Sequence, residues 1–192
     1  MFLIKTENSS ILEEKKSKFI SYLMFYKDFK ETMLKLKLDH PKARHFVFAF
    51  RYLNEEDQVV EGFSDDGEPK NTSGKPTLAV LQGHKLINVA LITVRYFGGV
   101  KLGTGGLVRA YSDACNLAIE ENNLQKYIKL EIYKFSVLYS HLSSVEHKMK
   151  SVELNVIDKE FGATNCEISI RCSKDNWLNL QQECNRMIEV FY

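Results

Sequence analysis

Apolar and polar positions along the first third of the chain predict strands separated by one helix. Residues 13–25 are rich in β-forming side chains on both sides of a charged turn, and residues 29–38 carry apolar side chains at helical spacing. From His45 to Leu53, large aromatic residues alternate with other side chains, which is typical of a strand. Residues 58–63 are expected to pair back on that strand. The order predicted here is β-α-β-β.

The middle of the chain predicts a buried strand between two helices. Residues 86–95 are apolar at both odd and even positions, which favours a strand covered on both faces of a sheet. A helix is expected from about residue 73 to Leu81, and a longer one from Leu107 to about Asn122-Asn123. Residues 64–74 have no periodicity and predict the longest loop.

After residue 126 the pattern changes to a second, independent set of elements. Strands and helices are predicted in the order β-α-β-β-α-β, with the first strand over residues 127–139 and the first helix opening at Ser143 or Ser144. This order is that of a ferredoxin-like domain. We therefore expect a boundary near Leu124–Lys126, with one domain over residues 1–124 and another over residues 127–192. The predicted class is α+β, built as two-layer α/β domains.

Composition and charge exclude several classes of protein. Hydrophobic residues make up 44% and charged residues 27% of the chain, as in ordinary globular proteins, so a disordered or fibrous chain is excluded. The 26 Lys and Arg residues nearly balance the 25 Asp and Glu residues, so the net charge of +1 does not attract nucleic acids or membranes. Any RNA binding has to depend on a local cluster of positive charge. No stretch is long enough to span a bilayer and none resembles a signal peptide, so we expect a cytoplasmic protein with no membrane partner.

The cysteines and histidines do not predict a metal site. None of the four cysteines forms a C-x-x-C pair, and no set of Cys and His has the spacing of zinc ligands. Small buried thiols are the expected role for these cysteines. We therefore expect neither a structural metal nor a cofactor.

Two segments of the first domain carry the candidate chemistry: residues 63–76 and residues 95–106. Each leads into the start of a predicted helix. Helix N-termini present free N–H groups that favour anions. The second segment has five glycines within residues 98–106, whose backbone can approach a ligand closely. Neither segment matches a Walker A loop or a dinucleotide fingerprint. The residues predicted to bind an anion or RNA are Lys75, Arg95, Lys101, Gly103, Thr104, Gly105, Gly106 and Arg109.

A second candidate set lies in the acidic first segment. Asp65, Asp66 and Glu68 could supply metal or base groups, with His45 as the weakest member of the site. Simpler roles stay open for all of these residues: a turn at Asp65–Gly67, a structural histidine, a salt bridge from Arg95, and glycines that only permit close packing. We expect both segments to lie at one edge of the sheet, because strands of one α/β layer place the loops that follow them there.

Residues 14–120 resemble the YigZ/Impact family. The match is carried by Ser17-Lys18-Phe19, by residues 40–45, by residues 63–69 with 74–76, and most specifically by residues 94–111. The resemblance implies a first domain like the second domain of a small-subunit ribosomal protein, a fold also seen in domain IV of elongation factor G. It implies a second domain like domain V of that factor. No catalytic activity comes with the resemblance.

The leading hypothesis is therefore a non-catalytic protein that binds the ribosome or RNA and modulates translation. One alternative is an enzyme acting on a phosphorylated small molecule or nucleotide, in which Asp65, Asp66 and Glu68 would use Mg²⁺. The other is a protein-interaction module that uses the sheet of the second domain. Fold likeness alone does not decide between these hypotheses.

Overall fold

The computed structural model describes residues 1–120 and 123–191. Within them the chain divides into two units, with the division between Tyr127 and Ile128. In the first unit the strands are β1 (Phe2–Ile4), β2 (Asn8–Glu14), β3 (Ser17–Phe25), β4 (His45–Leu53), β5 (Val59–Ser64), β6 (Val89–Tyr96) and β7 (Leu124–Lys126). Its helices are α1 (Phe29–Asp39), α2 (Gly74–Gly83) and α3 (Gly103–Glu120).

The five long strands form one antiparallel sheet in the order β2-β3-β6-β4-β5. Strand β6 lies in the middle and is buried from Val89 to Arg95, as its two apolar faces predict. Leu36 of α1 packs on one face of the sheet, against Phe46 and Ile92. On the opposite face, Leu81 of α2 and two residues of α3, Cys115 and Tyr111, pack against residues of the strands. The sheet is therefore covered by helices on both faces.

Strand direction fixes the edge at which the candidate residues meet. Both β5 and β6 run antiparallel to β4, so their C-terminal ends lie at the same edge as the start of β4. His45 is the register partner of Arg95, and Lys18 at the start of β3 is the partner of Tyr96. The chain segments that follow β5 and β6 therefore leave the sheet at one edge, as expected from the sequence.

In the first unit, some boundaries differ from the sequence prediction. Helix α3 begins at Gly103, so the last glycines of the glycine-rich segment belong to its first turn. Residues 124–126 form a strand that pairs with β1, and the Tyr127 N–H donates to the Met1 carbonyl, so this stretch closes the first unit. The division consequently falls just after the predicted boundary. The predicted end of the long helix at Asn122 lies outside the described residues.

The second unit is ferredoxin-like. Its elements are β8 (Glu131–Leu138), α4 (Tyr139–Ser151), β9 (Asn155–Phe161), β10 (Asn165–Cys172), α5 (Lys174–Glu183) and β11 (Ile188–Val190), and its antiparallel sheet has the order β11-β8-β10-β9. Phe135, Val145 and Trp177 belong to its core. Helix α4 begins at Tyr139, before the predicted start at Ser143 or Ser144, because β8 ends at Leu138. The predicted α+β class is confirmed. The first unit, however, has helices on both faces of its sheet and so has three layers, not the predicted two.

The cysteines are free and buried, and burial raises the pKa of the Cys115 thiol to about 11. Within the described residues, no three His, Cys, Asp or Glu side chains come together as a metal-binding group. None of the helices in that part of the chain has the length and apolar character that membrane crossing requires.

Candidate functional site

The acidic segment after β5 is folded around Asp65. The Asp65 carboxylate accepts hydrogen bonds from the Asn71, Ser73 and Gly74 N–H groups at 2.8–3.1 Å and from the Ser73 hydroxyl at 2.8 Å. Burial by itself raises the pKa of Asp65, but these hydrogen bonds outweigh it and hold the pKa below its ordinary value. The carboxylate thus occupies the N-terminus of α2, where the sequence suggested an external anion.

The other two acidic side chains also have partners inside the protein. Asp66 accepts the Phe46 N–H at 2.6 Å, which ties the loop to the start of β4. Glu68 is buried and accepts from Arg95 Nη1 at 2.6 Å and from the Tyr111 hydroxyl at 2.9 Å. Burial, and then the Glu68 carboxylate, raises the pKa of Tyr111, so its hydroxyl keeps the proton it donates. Both acidic side chains therefore stabilise the loop after β5 through hydrogen bonds within the protein.

Arg95 is a buried cation at the end of the central strand. Its guanidinium pairs with Glu68 and also donates from Nη2 to the Ser17 hydroxyl at 3.4 Å. It lies over the Phe19 ring, with its Cζ atom 5.4 Å from the centroid. Replacing Arg95 by alanine would leave the Glu68 charge buried and unpaired, which costs roughly 3–5 kcal/mol. The salt-bridge role left open by the sequence is therefore present, and Arg95→Ala is unsuitable for testing RNA affinity.

A pocket of about 340 Å³ opens beside Arg95. Its lining consists of Lys42, Arg44, His45, Arg95, Tyr96 and Phe97, and we call it the Arg95 pocket. Lys42 and Arg44 are exposed, and the Phe97 side chain is 55% exposed. The pocket thus combines cations with an accessible aromatic ring.

Two histidines shape the wall of the Arg95 pocket. His45 Nδ1 lies 2.9 Å from the Asp66 carbonyl oxygen, and because a carbonyl only accepts, Nδ1 carries the proton. His45 Nε2 is then the ring nitrogen left for another partner. His40 bridges two tyrosine hydroxyls, with Tyr22 at 3.0 Å and Tyr96 at 2.9 Å, and so holds Tyr96 in the wall. His45 therefore has both a structural contact and a place at the pocket.

The glycine-rich segment serves packing more than the Arg95 pocket. An added Cβ at Gly98 would overlap the backbone carbonyl of Lys16, so this glycine permits the β2–β3 turn to approach. The Gly98 N–H also donates to the Ser17 hydroxyl at 3.2 Å. Gly103 has a φ of 72° and begins α3. The close-packing role left open by the sequence applies at Gly98.

The structure does not bring all the predicted anion-binding residues into one pocket. Arg95 lines the Arg95 pocket, whereas Gly106 and Arg109 line a separate cavity of about 160 Å³ that Glu14, Lys15 and Asp113 share. The predicted residues that line neither cavity are Lys75, Lys101, Gly103, Thr104 and Gly105.

Sequence reasoning missed four members of the Arg95 pocket: Lys42, Arg44, Tyr96 and Phe97. The available signal was the basic stretch immediately before β4, since the start of that strand shares an edge with the end of β6. Phe97 offered a second signal, because a phenylalanine between a strand end and a glycine pair has few neighbours to cover it.

Comparisons with known proteins place the chain in a family. The model of the Impact N-terminal domain matches residues 15–119. An IMPACT family member of Haemophilus influenzae is 37% identical over 79% of this chain and 75% of its own length. The IMPACT family member YigZ of Escherichia coli is 35% identical over 84% of this chain and 81% of its own.

A solved structure, described as a crystal structure of a hypothetical protein, extends the likeness to both units. It covers 100% of this chain and 97% of its own, with a TM-score of 0.67 and 28% identity. The Arg95 pocket lies within the matched range, as do the stretches on which the resemblance rests. The chain belongs to the IMPACT family.

Proposed function

We propose that this chain binds RNA in the setting of the ribosome and modulates translation without covalent chemistry. The observation that carries the proposal is the Arg95 pocket, where Lys42 and Arg44 stand beside the exposed Phe97 ring. Proteins that bind single-stranded RNA combine cations for the phosphates with aromatic rings on which bases stack. The resemblance of the two units to adjacent domains of elongation factor G points to the same setting.

The arrangement of the acidic groups favours binding over catalysis. A metal-dependent phosphate enzyme needs carboxylates that face its substrate, whereas Asp65, Asp66 and Glu68 each accept hydrogen bonds from the protein. Their charge is thereby partly compensated, which reduces the repulsion of RNA phosphate expected from the sequence. The cations at the pocket supply the local attraction that a net charge of +1 does not.

A salt titration tests the proposal. Binding of a labelled single-stranded RNA is measured by fluorescence anisotropy for the wild type and for Lys42→Ala combined with Arg44→Ala. We expect about tenfold weaker binding, and a slope of log affinity against log salt that is smaller by about 0.7 for each phosphate that the variant no longer neutralises. Co-sedimentation with purified ribosomes should weaken in the same variant.

The control removes equal charge elsewhere. Lys150 and Lys174 are exposed in the second unit, and replacing both by alanine should leave the affinity and the salt slope unchanged. Absence of RNA binding by the wild type, or equally weakened binding in the two double variants, would contradict the proposal.

A further inference from the structure

Arg95, which lines the Arg95 pocket, carries a hydrogen-bond donor that no described residue accepts. Arg95 is only 6% exposed, and within the described part of the chain its Nε atom has no hydrogen-bond partner. The other two guanidinium nitrogens are directed to Glu68 and Ser17. Leaving a buried donor unpaired destabilises a protein, and such groups are rare in native structures. A ligand with an acceptor oxygen would pair this donor.

The charges around the pocket favour an anion as that ligand. Glu68 compensates the charge of Arg95, so the positive excess comes from Lys42 and Arg44 at the pocket wall. The nearby Asp66 carboxylate opposes an anion, but it accepts the Phe46 N–H. Arginine and lysine together present several N–H donors, which suits a group with several acceptor oxygens, such as phosphate.

We infer that the Arg95 pocket binds the terminal phosphate monoester of a nucleotide. Arg95 is buried, whereas Lys42, Arg44 and Phe97 are exposed, so Arg95 marks the inner end of the pocket and the others its mouth. A phosphodiester within an RNA chain is flanked by a nucleotide on each side, so it stays at the mouth of the pocket. A terminal phosphate has only one neighbour and can go further in, to the Arg95 guanidinium. Nε itself is covered, so pairing with it requires the guanidinium to turn toward the pocket.

Phe97 gives the site a place for the base attached to that phosphate. The Phe97 centroid is 5.7 Å from the Cζ atom of Arg95, so the ring and the guanidinium are neighbours. A pocket of about 340 Å³ is at the small end of ligand sites and suits one nucleotide rather than a dinucleotide. The phosphate and the base would then contact different parts of one pocket.

This inference deepens the proposed function and rests on it. The monoester could belong to the 5′ end of an RNA or to a free nucleoside monophosphate. Four probes separate these sources in calorimetric titrations of the full chain: a 5′-phosphorylated RNA hexamer, the same hexamer with a 5′-hydroxyl, adenosine monophosphate and adenosine. We expect the phosphorylated hexamer to bind about tenfold more tightly than the hydroxyl form, because charge-assisted hydrogen bonds to the terminal phosphate are added.

The variants assign the effect to the pocket. Lys42→Ala with Arg44→Ala should reduce the preference for the 5′-phosphate, because these side chains supply the positive excess of the pocket, while Lys150→Ala with Lys174→Ala should keep it. Phe97→Ala should weaken both hexamers and leave their ratio unchanged. Thermal unfolding of each variant checks that the fold is retained.

The outcomes distinguish failure of the terminal-phosphate inference from failure of the proposed RNA binding. Equal affinity of the two hexamers, with no binding of adenosine monophosphate, overturns the terminal-phosphate inference and leaves RNA binding standing. Tighter binding of adenosine monophosphate than of either hexamer supports the phosphate pocket and counts against RNA as its ligand. If none of the four probes binds, both proposals fail.

Discussion

At the residue scale, Asp65 shows how a side chain that suggests catalysis can serve the fold. Its carboxylate accepts four hydrogen bonds, three of them from N–H groups at or before the start of α2. A negative charge at this position also interacts favourably with the helix dipole. Asp65 therefore ties the loop after β5 to the start of α2.

The depressed pKa of Asp65 predicts a dependence of stability on pH. The folded-state pKa lies below the unfolded value of about 3.9, so the ionised carboxylate stabilises the fold above that pH. That contribution disappears as the pH falls through the folded-state pKa. Asp65→Asn should lower the free energy of unfolding at neutral pH by roughly 2 kcal/mol, since bonds to a charged acceptor become neutral ones.

Urea unfolding monitored by circular dichroism at neutral and acidic pH measures this effect. The difference between wild type and Asp65→Asn should shrink at the acidic pH, where the wild-type carboxylate is protonated. The matched control is Glu55→Gln in the turn between β4 and β5, where the side chain is exposed and lies outside any helix, and it should change neither value. A difference for Asp65→Asn that is the same at both pH values would show that its charge is not what matters.

The sequence predicted the chemistry-bearing residues of this loop but not their partners. Asp, Gly and Ser indicated a turn, whereas the bonds from Asp65 to Asn71, Ser73 and Gly74 span six to nine residues of irregular backbone. Hydrophobic periodicity does not predict hydrogen bonds across irregular backbone of this kind. The pairing of Glu68 with Arg95 and Tyr111 likewise joins residues that only the folded sheet and α3 bring together.

At the element scale, the β2–β3 turn and the segment after β6 depend on each other. Gly98 lies against the Lys16 carbonyl and donates to the Ser17 hydroxyl, which also accepts from Arg95. A methyl group at position 98 has no room unless one of the two backbones moves. The start of β3 and the end of β6 are thus fixed together at the edge that holds the Arg95 pocket.

Gly98→Ala should therefore destabilise the protein by roughly 3 kcal/mol, because it forces backbone against backbone. Gly105→Ala is the matched control. Apart from the adjacent helix backbone, an added Cβ there meets no atom of the described residues within 4 Å, and alanine favours the helix. Chemical denaturation of both variants checks the contrast. Equal stability of the two would mean that the turn shifts without cost.

Strand prediction from the sequence succeeded where the alternation was strong. The range His45–Leu53 is the observed β4, and the central place of the strand ending near Arg95 is also observed. The start of α3 was wrong because glycine has a low helix propensity, yet Gly103, Gly105 and Gly106 lie in its first turn. Packing of Leu107 and Tyr111 in the core outweighs that local preference.

At the scale of the whole molecule, the chain consists of two units with separate cores, and residues 127–130 connect them outside any strand or helix. From the change of pattern after residue 126, the sequence analysis expects a boundary near Leu124–Lys126. It did not predict that Leu124–Lys126 pairs with β1, because strands of three residues show no readable periodicity.

Limited trypsin digestion should cut first after Lys129, which is exposed in this connection. Fragments from both sides should then persist, because each has its own hydrophobic cluster. Lys129→Gln should slow the first cut, whereas Lys150→Gln on α4 should not. Mass spectrometry of the early products checks the site, and rapid degradation of either fragment would argue against independent units.

The pairing of β1 with β7 also has an architectural consequence. Phe2 is the partner of Lys126, so the first and last strands of the first unit end side by side, about 5 Å apart as paired strands are. Such a unit can be circularly permuted: a short linker can join the two ends, and new ends can be opened at residues 55–57, which form an exposed turn. For the same reason, the unit can be inserted into a loop of a longer polypeptide with only a small loss of chain entropy.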